Sequence, residues 1–433
     1  MAEESRMTAA LTLEQEIVRH DAGSGENLPL TTALSVARAR TELLEAFLDQ
    51  MHTTRIAYCL LSGFQGYPNV IASDIDFMVY PGDAERIPPL LLEVAGRCNA
   101  LWVQAIQHET GAWYFILAKQ MGSAVAYLHP DCTIDYRRDS RLWLEAEQAL
   151  KKRQRYKTFF VPAIADEFLY YLTKKILKQE ITGEQWQRIA ALYLSRPEEC
   201  SERIRRFWSE KTTESLVGVL ARQEIDWMRF YLPALLAELR ASVPVENWWE
   251  RAKQRLREWR RKVERAVNPT GLGVAVCGGT EQQRAKLATA LEENLRPAFR
   301  RTVICAEETT GDSPWGALAF WLARVRSTLV IRKKQLPGRG RLERDEIGFV
   351  FAETAVDEAA SERCGETESR HGCVVLDGSR LLERNVEIST RVALEYLTAR
   401  LRRRMKLEEP SSKAGHVESE ARRAVASGSR SVQ

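Results

Sequence analysis

Two aspartates one residue apart, Asp74 and Asp76 in Ser73-Asp74-Ile75-Asp76-Phe77-Met78-Val79, have the types and spacing that most directly suggest chemistry in this chain. Side chains alternate along a strand, so both carboxylates project from one face while Ile75 and Phe77 enter a core. Carboxylates so placed can share hard divalent cations such as Mg2+. Two such cations can activate an attacking oxygen and stabilise a leaving pyrophosphate in phosphoryl or nucleotidyl transfer. A third carboxylate from a neighbouring strand completes sites of this kind. Asp135, which ends the short apolar run CTIDY, is expected as that ligand and as the group that helps activate the acceptor. Arg137 and Arg138, just beyond it, read either as phosphate contacts or as solvated strand-end charges. His129, before Pro130-Asp131, reads as a turn residue, with a place beside the metal site as the alternative.

A second segment with chemical content is GLGVAVCGGTEQQRAKLATAL, a strand, a Gly turn and a helix. A working phosphate loop needs glycine amides to wrap phosphates, a Lys to reach them, and a Ser or Thr for magnesium. Here Gly278 and Gly279 mark the turn, Glu281 and Gln283 occupy positions where further glycines would serve, and Arg284 and Ala285 stand for the Lys and the hydroxyl residue. A glutamate repels phosphate, and a side chain at Gln283 crowds the close approach that glycine permits. Arg284 and Lys286 remain as anion contacts at a helix N-terminus. The six histidines stand in unrelated contexts, and no Ser-His-Asp or Cys-His arrangement emerges.

The elements that must position these residues follow from pattern. Leu34, Ala37, Leu44, Phe47, Leu48 and Met51 predict an amphipathic helix over 32–51. Short apolar runs bounded by Gly, Pro, Asn or Asp then predict strands through 56–136, with one helix at PPLLLEVAGRC. Helical spacing takes over beyond Asp139 and ends in VENWWERAKQRLREWRRKVERAV, where Trp248, Ala252, Leu256, Trp259, Val263 and Ala266 form one stripe. Residues 251–265 carry eight Arg or Lys against two Glu. We read this helix as a connector with a solvated basic face and packed tryptophans; a nucleic-acid or membrane face is the alternative. Strand and helix alternation after Pro269 predicts a small parallel sheet. The segments KKQLPGRGRLERDE and DEAASERCGETESRHG read as loops.

A chain of 433 residues is too long for one ordinary core. The expected organisation is a flexible N-terminus over 1–31, an α/β domain over 32–139, a helical subdomain and connector over 140–268, a second α/β domain over 269–406 and a disordered tail over 407–433. A net charge of +4, from 63 basic and 59 acidic residues, gives no strong overall pull toward nucleic acid or an anionic membrane. Eight cysteines without a CxxC pair argue against a zinc module and a secreted disulfide framework. With no signal-like N-terminus and no apolar run long enough to span a bilayer, a cytoplasmic location is expected.

The stretch YCLLSGFQGYPNVIASDIDFMV, with the lysine-bearing FLYYLTKKILK, resembles the nucleotidyltransferase-fold superfamily over residues 35–180, in particular a bacterial group with a similar run before the acidic strand. In the wider superfamily a Gly-Ser pair holds nucleotide phosphates; Leu61-Ser62-Gly63-Phe64 stands in its place here. The resemblance implies Mg2+ as cofactor, a nucleoside triphosphate substrate, and nucleotide contacts from Ser62, Gly63, Arg137 and Lys174. The second domain resembles thymidylate-kinase-like P-loop proteins, with Gly278 at the first Gly of GxDGSGKST and VVLDGSRLLERNVEISTRVALEYL like their last strand and helix. Its altered loop marks it as a pseudokinase. Similar fusions belong to bacterial surface-polysaccharide and related nucleotide-handling systems. The expected function is Mg2+-dependent nucleotidyl transfer to an unidentified acceptor. Its rivals are a non-catalytic nucleotide sensor or scaffold and a residual thymidylate-kinase-like phosphotransferase.

Overall fold

Helix α1 (Leu30–Thr53) buries Leu43, Leu44, Phe47, Leu48 and Met51 at the three- and four-residue spacing seen in the sequence, while Leu34 stays exposed. It packs on a five-stranded sheet of β1 (Tyr58–Ser62), β2 (Asp74–Val79), β3 (Leu101–Glu109), β4 (Ala112–Met121) and β5 (Ala124–Thr133), with α2 (Ile87–Arg97) between β2 and β3. The computed structural model describes residues 30–69, 71–109, 111–138, 141–243, 248–305, 314–334, 346–352, 373–377 and 382–405. The expected N-terminal segment up to residue 29, the two charged loops over 335–345 and 357–372 and the tail beyond 406 lie outside them.

The sheet order is β1-β2-β5-β4-β3, antiparallel except where β2 and β5 run parallel. Strand alternation gives it two distinct faces. Leu60, Ile75, Phe77, Val79, Phe115 and Leu117 pack on α1 and α2. The other face is covered at two places. Cys59, Leu61 and Met78 pack with the helices that follow, whereas Val103, Ile116, Ala118 and Tyr127 join the core of the C-terminal sheet. The acidic residues of β2 project from this second face, at the seam between its two covers.

After β5 come two small hairpins, β6 (Asp135–Arg138) with β7 (Arg141–Glu145) and β8 (Gln154–Tyr156) with β9 (Phe159–Val161), with α3 (Ala146–Lys151) between them. The helical subdomain expected from residue 140 therefore opens with these hairpins and the six-residue α3, and its longer helices begin at α4 (Ile164–Lys178). Helices α5 (Gly183–Ser195), α6 (Pro197–Arg205), α7 (Glu210–Arg222) and α8 (Ile225–Ser242) surround α4, which is buried along most of its length. Buried ion pairs Asp166–Arg203 and Glu167–Arg188 fasten its first turn to α6 and α5.

Helix α9 (Trp248–Val267) leads into a parallel sheet of β10 (Leu272–Gly278), β11 (Arg301–Cys305), β12 (Thr328–Lys334), β13 (Glu346–Ala352) and β14 (Cys373–Asp377), ordered β11-β12-β10-β13-β14. Helices α10 (Glu281–Leu295), α11 (Pro314–Val325) and α12 (Leu382–Met405) accompany it. The connection after β10 runs to β11 on one side and that after β13 to β14 on the other, so a topological switch point falls between β10 and β13 at their C-terminal ends, where crevices form in open α/β sheets. The architecture is thus mixed α/β, with one mixed and one parallel sheet. Helix α12 also packs on β3, and Gln104 Nε2 of β3 donates to the Thr270 carbonyl at 2.8 Å, so the two sheets share one interior. Among the described residues no helix is long and apolar enough to cross a membrane.

Candidate functional site

Register decides which polar side chains meet. In the parallel β2–β5 pair, Asp74 lies opposite His129 and Asp76 opposite Asp131. Paired residues on neighbouring strands share a face, so these four form one patch. Tyr114 of β4, opposite Asp131, borders it. The third carboxylate facing the β2 pair is therefore Asp131 rather than Asp135. His129 is a strand residue beside the acids, not a turn residue: its Nδ1 lies 2.8 Å from Asp74 Oδ1, which also accepts from the Tyr114 hydroxyl at 3.0 Å.

Helix α4 supplies the opposing wall. Lys174 Nζ donates to Asp76 Oδ2 at 2.6 Å and to the Tyr170 hydroxyl at 2.8 Å, and that hydroxyl donates to the same carboxylate oxygen at 3.2 Å. The four-residue separation of Tyr170 and Lys174 puts both on one helical face. Ser62, opposite Asp76 on β1, also donates its hydroxyl to Oδ2. Gly63 follows with φ +88°, and a Cβ there would run into the Asp74 carbonyl and Ile75. Only glycine allows this loop to cross so close to the acidic strand.

The three acids experience different fields. Burial works to raise the Asp76 carboxyl, but the Lys174 ammonium and the Ser62 and Tyr170 hydrogen bonds outweigh it and hold it below the usual carboxylate range. For Asp74, burial again opposes ionisation, and the hydrogen bonds of His129 and Tyr114 bring it down; its side chain is 65% exposed, which weakens each contribution. Among the described residues Asp131 has no such partner at hydrogen-bonding distance: His108 Nε2 is 3.7 Å away, and burial together with the Arg261 and Arg300 charges pushes that imidazole down to about 4. Burial, then the negative charge of Asp76, pushes Asp131 up to about 8 despite Lys174.

Asp135 has a different task. Its Oδ1 accepts the Ala146 backbone N–H at 3.0 Å, at the start of α3, and its Oδ2 accepts from Arg137 Nη2 at 3.2 Å. Arg137 is thus held on Asp135. The sequence rule that pointed to Asp135 missed that β5 continues through His129-Pro130-Asp131 to Thr133. The signal available was the alternation of Tyr127, His129 and Asp131 within that run.

Hard, anionic oxygen donors suit Mg2+, and a carboxylate raised by its neighbours' charge is a group that a divalent cation would stabilise. Among the described residues no three His, Cys, Asp or Glu side chains stand arranged to hold an ion as they are. Asp74 is engaged with His129 and Tyr114, and Asp76 with Lys174, so ion binding requires these carboxylates to exchange partners.

At the second candidate, the turn between β10 and α10 is closed on itself. Thr280 caps α10, accepting from Gln283 N–H, while the Gln283 side chain accepts the Thr280 N–H at 2.7 Å. Gly278 and Gly279 both have positive φ, and Arg284 is buried with Nη1 on their carbonyls at 3.1 and 2.7 Å. The expected Arg284 anion contact is therefore turned inward, Lys286 is exposed, and Glu281 is the first residue of the helix rather than part of the loop. The Thr280 and Gln283 backbone N–H groups at the start of α10 are thus taken by side chains of the turn itself. No protein-family model, curated protein or solved structure matches this chain.

Proposed function

We propose that this protein is a Mg2+-dependent enzyme of the nucleotidyltransferase kind, using a nucleoside triphosphate and a hydroxyl-bearing acceptor at the seam face of the first sheet. The observation that carries this reading is the β2–β5 register, which sets Asp74, Asp76 and Asp131 on one face with Lys174 above them. Mg2+ held by these carboxylates would supply charge neutralisation of the triphosphate and polarisation of the reacting phosphoryl oxygens. Lys174, once released from Asp76, would pair with phosphate oxygens, and Ser62 and the Gly63 loop lie against the same carboxylate. The acceptor oxygen attacks the α-phosphorus, the bond to the bridging oxygen of the β-phosphate breaks, and pyrophosphate leaves. The hydroxyl proton passes to the Asp131 carboxylate, which would serve as general base.

The self-capped turn after β10 favours a non-catalytic role for the C-terminal sheet, as a support for the face it covers. That leaves a residual thymidylate-kinase-like activity as the weakest of the three readings. A role in surface-polysaccharide or related nucleotide handling rests on sequence resemblance alone. Calorimetric titration of nucleoside triphosphates with Mg2+ into the wild type and Asp76→Asn tests the proposal. Mg2+-dependent binding that the variant loses is expected. Absence of binding to the wild type sinks the enzyme reading, and binding unchanged in the variant moves the nucleotide site elsewhere.

A further inference from the structure

Helix α9 is mounted with its apolar side outward. Trp248, Trp249, Leu256 and Trp259 are each at least 60% exposed, and Val263 and Val267 continue the same sector toward the C-terminus. At 3.6 residues per turn these positions fill one sector roughly 100° wide. Arg255 and Lys262 border it on one side, and Arg260 and Lys253 on the other with Arg257 beyond them, all of them exposed. Glu264 interrupts the second border near its C-terminal end. The side facing the protein is polar instead. Arg261 Nη1 donates to the Gln107 carbonyl at 3.0 Å, and Arg265 Nη2 donates to Ser327 Oγ at 3.3 Å. The helix is therefore anchored through arginines while its tryptophans meet water, so the sequence expectation of packed tryptophans does not hold.

We propose that α9 is an interfacial helix that docks this protein on an anionic phospholipid surface. An apolar sector between two basic rows matches the depth profile of a bilayer surface. The rings and aliphatic side chains enter the boundary between headgroups and acyl chains, and the flanking Lys and Arg reach lipid phosphates. Tryptophan favours this zone because it joins a large apolar body to one N–H donor. The length also fits, since α9 needs to lie in the surface and not to cross it.

The pattern discriminates against other occupants. A nucleic acid would satisfy the basic rows and stack on tryptophans, but Leu256, Val263 and Val267 offer no stacking plane for a base. A second copy of the helix, laid face to face in either direction, would bring one basic row against another.

Co-sedimentation of the full chain with phosphatidylcholine vesicles, with and without phosphatidylglycerol, tests the assignment. The wild type is expected to sediment with the phosphatidylglycerol-containing vesicles and to remain in solution with phosphatidylcholine alone. The Leu256→Ser/Trp259→Ser variant, altered only at exposed positions and checked for an unchanged melting curve, should partition on the order of tenfold or more less strongly. A second variant, Arg257→Gln/Arg260→Gln, should also weaken binding and lessen its dependence on salt. The proposal is overturned if the wild type ignores anionic vesicles, or if the serine variant binds them as well as the wild type does. It is equally overturned if that variant's loss is instead of oligonucleotide binding or of a concentration-dependent dimer, with vesicle binding absent.

Discussion

Replacing Asp131 by Asn should make the metal-free protein more stable and less responsive to magnesium. In the folded chain Asp131 titrates at about 8, against an ordinary carboxyl value of 3.8, because it is buried beside Asp76. Between these values the unfolded chain has released the proton that the folded chain still holds. Folding stability from this group therefore falls as pH rises through the window, and the deficit is complete above about 8. At about 1.4 kcal/mol per pH unit the full displacement corresponds to an upper bound of about 6 kcal/mol. Solvent reaches the 27% exposed side chain, and relaxation with screening reduces the net effect to roughly 2–3 kcal/mol.

The assay is thermal unfolding in chelator from pH 4 to above pH 8, with the wild type and Asp131→Asn followed side by side. The two curves should converge at the acid end and separate upward in favour of the variant as pH rises. Added Mg2+ should then raise the wild-type midpoint, since a ligand that binds only the folded state at about a hundred times its Kd contributes about 2.7 kcal/mol. The variant, lacking one carboxylate, should respond less. A variant less stable than the wild type at pH 8, or one with an equal magnesium response, refutes the reasoning that Asp131 is an uncompensated member of a carboxylate face.

Three further outcomes follow from the same geometry. Asp135→Ala should lower stability by roughly 1–2 kcal/mol through loss of its bonds to Ala146 and Arg137, yet leave magnesium binding by calorimetry unchanged. Gly63→Ala should cost roughly 2–4 kcal/mol, since its Cβ meets the Asp74 carbonyl at a positive φ, and should weaken magnesium binding as β2 shifts. Arg284→Ala, which frees the Gly278 and Gly279 carbonyls, should destabilise by roughly 1–3 kcal/mol in denaturant melts, without altering nucleotide affinity at the first sheet.

Local pattern carried much of this protein. The alternation of Asp74 and Asp76 with Ile75 and Phe77 is a property of any strand with that order, and burial follows it, Ile75 and Phe77 being fully enclosed. The three- and four-residue spacing in α1, α9 and α12 and the breaks at Gly and Pro likewise act within a few residues. So does the closed turn after β10, because Thr280, Gln283 and Arg284 bond within it.

Tertiary structure decided what those patterns met. The partner of Asp76 is some fifty residues away along the chain in a parallel pair, a contact that β3, β4 and the turns between them bring about. The alternation of Tyr127, His129 and Asp131 marks a shared face but not what that face meets, since the partner strand and the register are set by the fold and a one-residue slip would reverse the face. Helix α9 shows the same division. Its apolar stripe is legible in the sequence, but the direction the stripe faces depends on which side of the helix finds partners, and there the Gln107 carbonyl and Ser327 took the arginines and left the tryptophans to solvent.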